Sequence, residues 1–182
     1  MTAQQAGFTL IELMIVIVVL AIFVTVGVPN FQNLIRENRL ATQANEFVSS
    51  LHFARSEAIK RRLQVALCRT TDGATCVAGG TPSWETGWLV FVDDVTSNGS
   101  IDAGEQLLRS VSAKPTSTLR STNANTNDTV LFRNNGLLTN PGGSFNLCDS
   151  NTADTASGRR IRINVTGQVV TEIGNAFVAS CP

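Results

Sequence analysis

The chain is poor in charge: 15% of its 182 residues are Asp, Glu, Lys or Arg, against 43% hydrophobic. That balance excludes a disordered tail and a long solvated coiled coil. The 14 basic residues cancel the 14 acidic ones, so no net field argues for nucleic acid or an acidic substrate. There is one histidine, His52, on a stretch of helical periodicity that also carries arginines. With no serine or cysteine in a recognisable nucleophile setting, no catalytic triad can be drawn. A glycine-rich phosphate loop is missing too, as is any Cys-x-x-Cys that would give zinc a familiar ligand set. Catalytic residues and cofactors are therefore not expected, and the chain reads as a non-enzyme. Nor is there a Lys or Arg before Arg36; up to Ile35 the only side chain ionised at neutral pH is Glu12.

What fills that uncharged stretch is a continuous apolar run. Phe8 to Val28 is 21 residues long and Pro29 follows it. At about 1.5 Å per residue such a helix spans about 30 Å, the thickness of a bilayer's hydrocarbon core. It is apolar on every face, which excludes an amphipathic surface helix, and the chain is too short to hide so long a rod in a core. An ordinary secretory signal fits poorly, because the leader MTAQQAG lacks the cationic start. A carboxylate at membrane depth costs roughly 2.5–3.5 kcal/mol, so Glu12 is expected to be functional and paired. No cation lies within helical reach of it. Were the leader cut after Gly7, a free amine would appear at Phe8, one turn from Glu12 in its own chain or a neighbour's. The competing reading is a carboxyl simply protonated in lipid.

Beyond Pro29 the pattern becomes amphipathic. Leu34, Ala41, Ala44, Val48, Leu51, Ala54 and Ala58 recur at three- and four-residue steps, predicting a helix to about Arg62 with a kink near Gly27 or Pro29. From Leu63 the period changes to two. Candidate strands are Gln64–Arg69, Gly87–Val92, Gln106–Val111, Thr129–Arg133, Ser144–Cys148, Arg160–Val165 and Gln168–Thr171, with turn signals at Asn134-Asn135-Gly136 and Thr166-Gly167. The polar stretch Thr116–Asp128 reads as a mobile loop. Trp84 and Trp88 read as core. The expected fold is α+β, a long N-terminal helix packed on antiparallel sheet. Four cysteines, Cys68, Cys76, Cys148 and Cys181, form an even set suited to an oxidising compartment. Cys68 and Cys76 flank a short Asp72-Gly73 turn and Cys181 lies near the terminus, but three pairings are open.

The run Gly7-Phe8-Thr9-Leu10-Ile11-Glu12, continued by an unbroken apolar helix and Pro29, resembles the amino-terminal signature of type IV pilins and pseudopilins. Trp84-x-x-Gly87-Trp88-Leu89-Val90-Phe91-Val92-Asp93 with Glu105-x-Leu107-Leu108 is similar to the GspH/FimT subgroup of minor pilins and pseudopilins. Thr129-Val130-Leu131-Phe132, Asn135-Gly136 and Ile163-x-x-Thr166-Gly167 continue that similarity. The resemblance implies a cytoplasmic leader over 1–7, cleavage at Gly7–Phe8 by prepilin peptidase, and N-methylation of Phe8. Segment 8–28 then becomes a transmembrane and filament-core helix, 29–62 an amphipathic helix, and 63–182 a β-rich domain. It implies that Glu12 helps subunits enter a helical filament with other minor pilins and the major pilin. The bacterial inner membrane would be crossed once, with the globular domain periplasmic. The function implied is a minor pilin that primes or caps a type IV pilus. The same architecture could serve as a minor pseudopilin of a type II secretion system. The leader departs from the family's habit in carrying no Lys or Arg. Because minor pilins often have a carboxy-terminal disulfide, the resemblance also implies the pairing Cys68–Cys76 with Cys148–Cys181.

Two further features invite chemistry. The stretch 94–105 matches an EF-hand loop at most positions, with Asp94, Thr96, Asn98, Asp102 and Glu105 at ligand places and Gly99 at the turn. Thr96 replaces the usual Asp or Asn, and the loop lies between strands rather than helices. A plain hairpin is the reading taken, with no metal, and calcium is the alternative. Arg159, Arg160 and Arg162 make a small basic patch. Some FimT-like minor pilins bind DNA through a carboxy-terminal Gly-Arg-x-Arg. Here Gly167-Gln168-Val169-Val170 lacks those arginines, and Gly158-Arg159-Arg160 runs into Ile161. No aromatic residue interleaves with the patch to stack bases, so a solvated strand face is the reading taken and DNA the alternative.

Overall fold

A computed structural model describes residues 7–81, 83–126, 128–151, 154–178 and 181; residues 1–6 of the expected leader lie outside them. Helix α1 spans Leu10–Arg61 and runs unbroken through Gly27 and Pro29. It starts two residues later than expected because Thr9 caps it. The Thr9 hydroxyl accepts the Glu12 N–H at 3.3 Å, and the Thr9 N–H points to Glu12 Oε2 at 3.5 Å. This is the reciprocal capping box that Thr-x-x-Glu permits. The helix ends where Arg62 enters the left-handed region (φ 59°).

The chain divides into two compact units, the first ending at Asn38 and the second beginning at Arg39. In the second, α1 buries Leu40, Ala44, Phe47, Leu51, Ala54 and Ala58 at alternating four- and three-residue steps. Four of these belong to the face expected from sequence; Ala41 and Val48 are half-buried and Leu34 is exposed. Phe47 is the hub, meeting Trp84, Trp88 and Phe145 edge-on with ring centroids 5.5, 5.1 and 4.9 Å away.

Among the described residues eight strands follow: β1 Val65–Arg69, β2 Gly87–Val92, β3 Leu107–Ser112, β4 Ser117–Ser121, β5 Thr129–Phe132, β6 Gly143–Asp149, β7 Arg159–Ile163 and β8 Val169–Ile173. They form two four-stranded sheets, ordered β3-β2-β1-β5 and β4-β6-β7-β8, antiparallel throughout. Inward side chains from both sheets share one core with α1. The far face of β1 and β2 carries Ala66, Cys68, Leu89 and Phe91 beneath Cys76, Ile101 and Leu131. Both faces of these strands are thus covered, which is why VALCR and GWLVFV show no polar alternation.

The expected mobile loop over Thr116–Asp128 is corrected: it holds β4 and a 3₁₀ turn, Ala124–Thr126. Strand β4 pairs with β6 from Ser117↔Asp149 to Ser121↔Phe145. The turn is anchored by the Trp84 Nε1–H, which donates to the Thr126 carbonyl at 3.2 Å. Tertiary partners, not local propensity, order this segment. Strand β7 likewise stops at Ile163, leaving Val165 exposed in the turn before β8.

Both expected turn signals are realised against the helix. Gly136 (φ 77°) and Gly167 (φ 72°) pack on Arg55, whose Nε–H donates to the Gly136 carbonyl at 3.1 Å. A Cβ on Gly167 would fall 2.6 Å from that carbonyl oxygen, so only glycine fits there. The Leu138 N–H to the Val165 carbonyl (2.9 Å) and a bridge between Ser83 and Arg120 join the two sheets. Disulfides join Cys68 to Cys76 and Cys148 to Cys181.

Candidate assembly site

In the first unit every side chain whose exposure is described, from Phe8 to Ile35, is exposed. Leu10–Val28 alone shows 14 large apolar side chains to its surroundings. The helix is long and apolar enough to cross a membrane, and none of that stretch is buried within the chain. Burying a side chain of this type is worth about 1.5–3 kcal/mol, so leaving the set in water would forgo on the order of 20 kcal/mol. Lipid or other subunits must cover it. Between Leu10 and Val28 polar side chains stand at two places. Thr25 turns its hydroxyl back to the Ala21 and Ile22 carbonyls, both at 3.0 Å, which satisfies it locally. Glu12 is the other, exposed beside Gly7 and Phe8, with one carboxylate oxygen on the Thr9 N–H. The Thr9 cap is legible in the sequence as Thr-x-x-Glu, a signal independent of the charge of Glu12.

The remaining candidate residues fall apart into separate settings. Thr96, Asn98, Asp102 and Glu105 do come together, but as one another's partners. Thr96 Oγ1 (2.5 Å) and Asn98 Nδ2 (3.0 Å) donate to Asp102 Oδ2. Glu105 accepts the Val95 and Asp102 N–H groups at 3.3 and 2.9 Å. These are the bonds of a self-closed hairpin loop. Among the described residues no group of three or more His, Cys, Asp or Glu is placed to hold a metal ion.

The basic patch is largely neutralised. Arg160 donates to Glu172 at 2.8 Å, Arg162 lies 3.6 Å from the same carboxylate, and Arg160 sits over the Phe177 ring at 5.5 Å. The expectation that no aromatic interleaves with these arginines is corrected at one of them: Phe177, distant in sequence, folds back on Arg160. Arg159 lies on the same strand.

Near the first disulfide, Asp72 is the anchor of the expected turn. The Thr75 hydroxyl and N–H, then the Ala74 N–H and the Thr70 hydroxyl, bind its carboxylate and hold its pKa far below the ordinary 3.8. Arg69, 3% exposed, fastens the following segment by donating to the Thr81 and Gly79 carbonyls, each at 2.9 Å, and by pairing with Asp128. Arg39 pairs with the buried Asp149 of β6. Sequence spacing gave no sign of the last two pairs, since each partner is distant in the chain.

A single apolar helix, exposed in its first half and packed in its second beneath two antiparallel sheets, defines a pilin-like subunit. The chain belongs to the GspH family: the family described as Type II transport protein GspH matches residues 43–167, and the prokaryotic N-terminal methylation motif matches residues 2–28. It is 34% identical over 113 residues to prepilin peptidase-dependent protein D of Escherichia coli K12, covering 60% of this chain and 70% of that protein. The fold is similar to that of the type IV minor pilin FimU of Pseudomonas aeruginosa PAO1. In one crystal form the TM-score is 0.61 at 26% identity, over 80% of this chain and 96% of FimU. The minor pseudopilin EpsH of the Vibrio cholerae type 2 secretion system shares the fold, with TM-score 0.50 at 10% identity, over 73% of this chain and 95% of EpsH.

Proposed function

We propose that the chain is a minor pilin of a type IV pilus, a non-enzymatic subunit of the complex that primes or caps the filament. The observation that carries this reading is the apolar surface of α1, 14 large side chains with no cover in their own chain, headed by one carboxylate. Cleavage between Gly7 and Phe8 frees an amine, N-methylated at Phe8, within a helical turn of Glu12. That amine, in the same chain or a neighbour, offsets the cost of the carboxylate in lipid and sets register with the next subunit. Prepilin peptidase is the processing partner, supported by similarity to a protein named for that dependence. The two disulfides support a periplasmic domain anchored in the inner membrane.

The same architecture suits a minor pseudopilin of a type II secretion system, a reading favoured by the family's own description and the fold of EpsH. DNA capture has less support, since Glu172 compensates Arg160 and Arg162. Deletion followed by assays of twitching, exoprotein secretion and DNA uptake tests the reading. The expected result is loss of twitching with secretion intact. Loss of secretion alone would establish the pseudopilin, and loss of uptake with normal pili would establish DNA capture.

A further inference from the structure

All fourteen Lys and Arg residues lie among the described residues, and twelve of them have a side-chain partner. The two for which none is recorded among the described residues, Arg62 and Arg133, line one cleft of about 500 Å³ where α1 ends. Both residues are exposed, and both spring from fixed backbone. Arg62 holds the left-handed position that stops the helix. Arg133 closes the Asn134–Gly136 turn through bonds to Leu137 and Gly136, each at 2.8 Å. Two guanidiniums left without carboxylates in so pre-set an arrangement suit bidentate capture of a carboxylate.

The other wall of the cleft has the opposite sign. Asp93 is fully buried; its Oδ2 accepts the Gln64 Nε2–H and Gly99 N–H at 2.9 and 3.0 Å, while Oδ1 is buried with no hydrogen-bond partner. Asp94 beside it is exposed, with no side-chain partner among the described residues. Polyanions are disfavoured, because a phosphate backbone with one charge per about 1.7 Å would press on both aspartates. Leu63, which lines the cleft, is exposed, as are Ile59 on the last turns of α1 and Leu137 and Val165 in the neighbouring turns, apolar side chains that a polypeptide partner could cover.

We propose that this cleft docks an acidic segment of a partner polypeptide. Its carboxylate is held by Arg62 and Arg133, and an adjacent N–H or basic side chain is received by the exposed Asp94. That the partner is another filament subunit rests on the function proposed above; the chemistry of the cleft does not.

The test titrates the full chain in detergent micelles with a hexapeptide carrying adjacent Asp and Glu followed by Lys. Side-chain arginine and backbone amide resonances are the readout. The acidic peptide should shift the Arg62 and Arg133 Nε–H signals and the Asn134 and Ser97 amides. Its Asn/Gln counterpart should bind at least tenfold more weakly. Arg62→Gln with Arg133→Gln, both at exposed positions, should abolish the amide shifts while leaving the remaining spectrum unchanged. Equal binding of the uncharged peptide, or persistence of the shifts in the double variant, overturns the proposal. A stronger response to a double-stranded oligonucleotide than to the peptide overturns it in favour of nucleic acid. Because no filament is needed, failure here is separable from failure of the pilus reading, which shows instead in processing and twitching.

Discussion

Glu12 has a local role and a proposed assembly role, and the two are separable by chemistry. As the third helical residue after Thr9 it completes the capping box, which explains why α1 begins at Leu10. A cap needs only an acceptor, so glutamine can replace it; an amine needs the charge. Glu12→Gln should therefore keep the helix start and the protein's insertion, yet fail to assemble. Glu12→Ala should fail in both. Quantifying subunit incorporation into sheared pili beside helix content in micelles checks this. Incorporation of the glutamine variant at wild-type level would assign Glu12 to capping alone. Asp72 shows the same economy of means on a smaller scale: one carboxylate collects four donors and fixes the turn between Cys68 and Cys76.

At the level of elements, α1 is held to the sheets through Phe47 more than through any charge. Its ring fills the space between Trp84, Trp88 and Phe145, so Phe47→Ala should cost about 3–5 kcal/mol. Thermal unfolding of the full chain in micelles reads that loss; a change below 1 kcal/mol would mean the cluster repacks freely. Phe47 is legible as apolar, yet the spacing of Ala41, Ala44, Val48 and Leu51 around it makes a competing stripe that leaves it off the buried face. The strands were legible where one face is wet, as in β7, and where hydrophobic runs are continuous, as in β1 and β2. Strand β4 was not, because its inward residues Ser117, Leu119 and Ser121 are mostly small and polar, giving no apolar alternation. Its order comes from β6 and from the Trp84–Thr126 bond, both remote in sequence. The Arg160–Phe177 stack was hidden for the same reason.

For the whole molecule, the uneven placement of charge was evident in the sequence: one acid and no base up to Ile35, and every base from Arg36 onward. What composition could not give was the pairing of those charges, which leaves Arg62 and Arg133 conspicuous only after folding. The α1 surface headed by Glu12 has meaning as an assembly device only if the chain begins beside it. Intact-mass and amino-terminal analysis of the protein extracted from native membranes is the most direct measurement. A mature chain starting at N-methylated Phe8 is the predicted result. A chain that still begins at Met1 in membranes with active prepilin peptidase would contradict it.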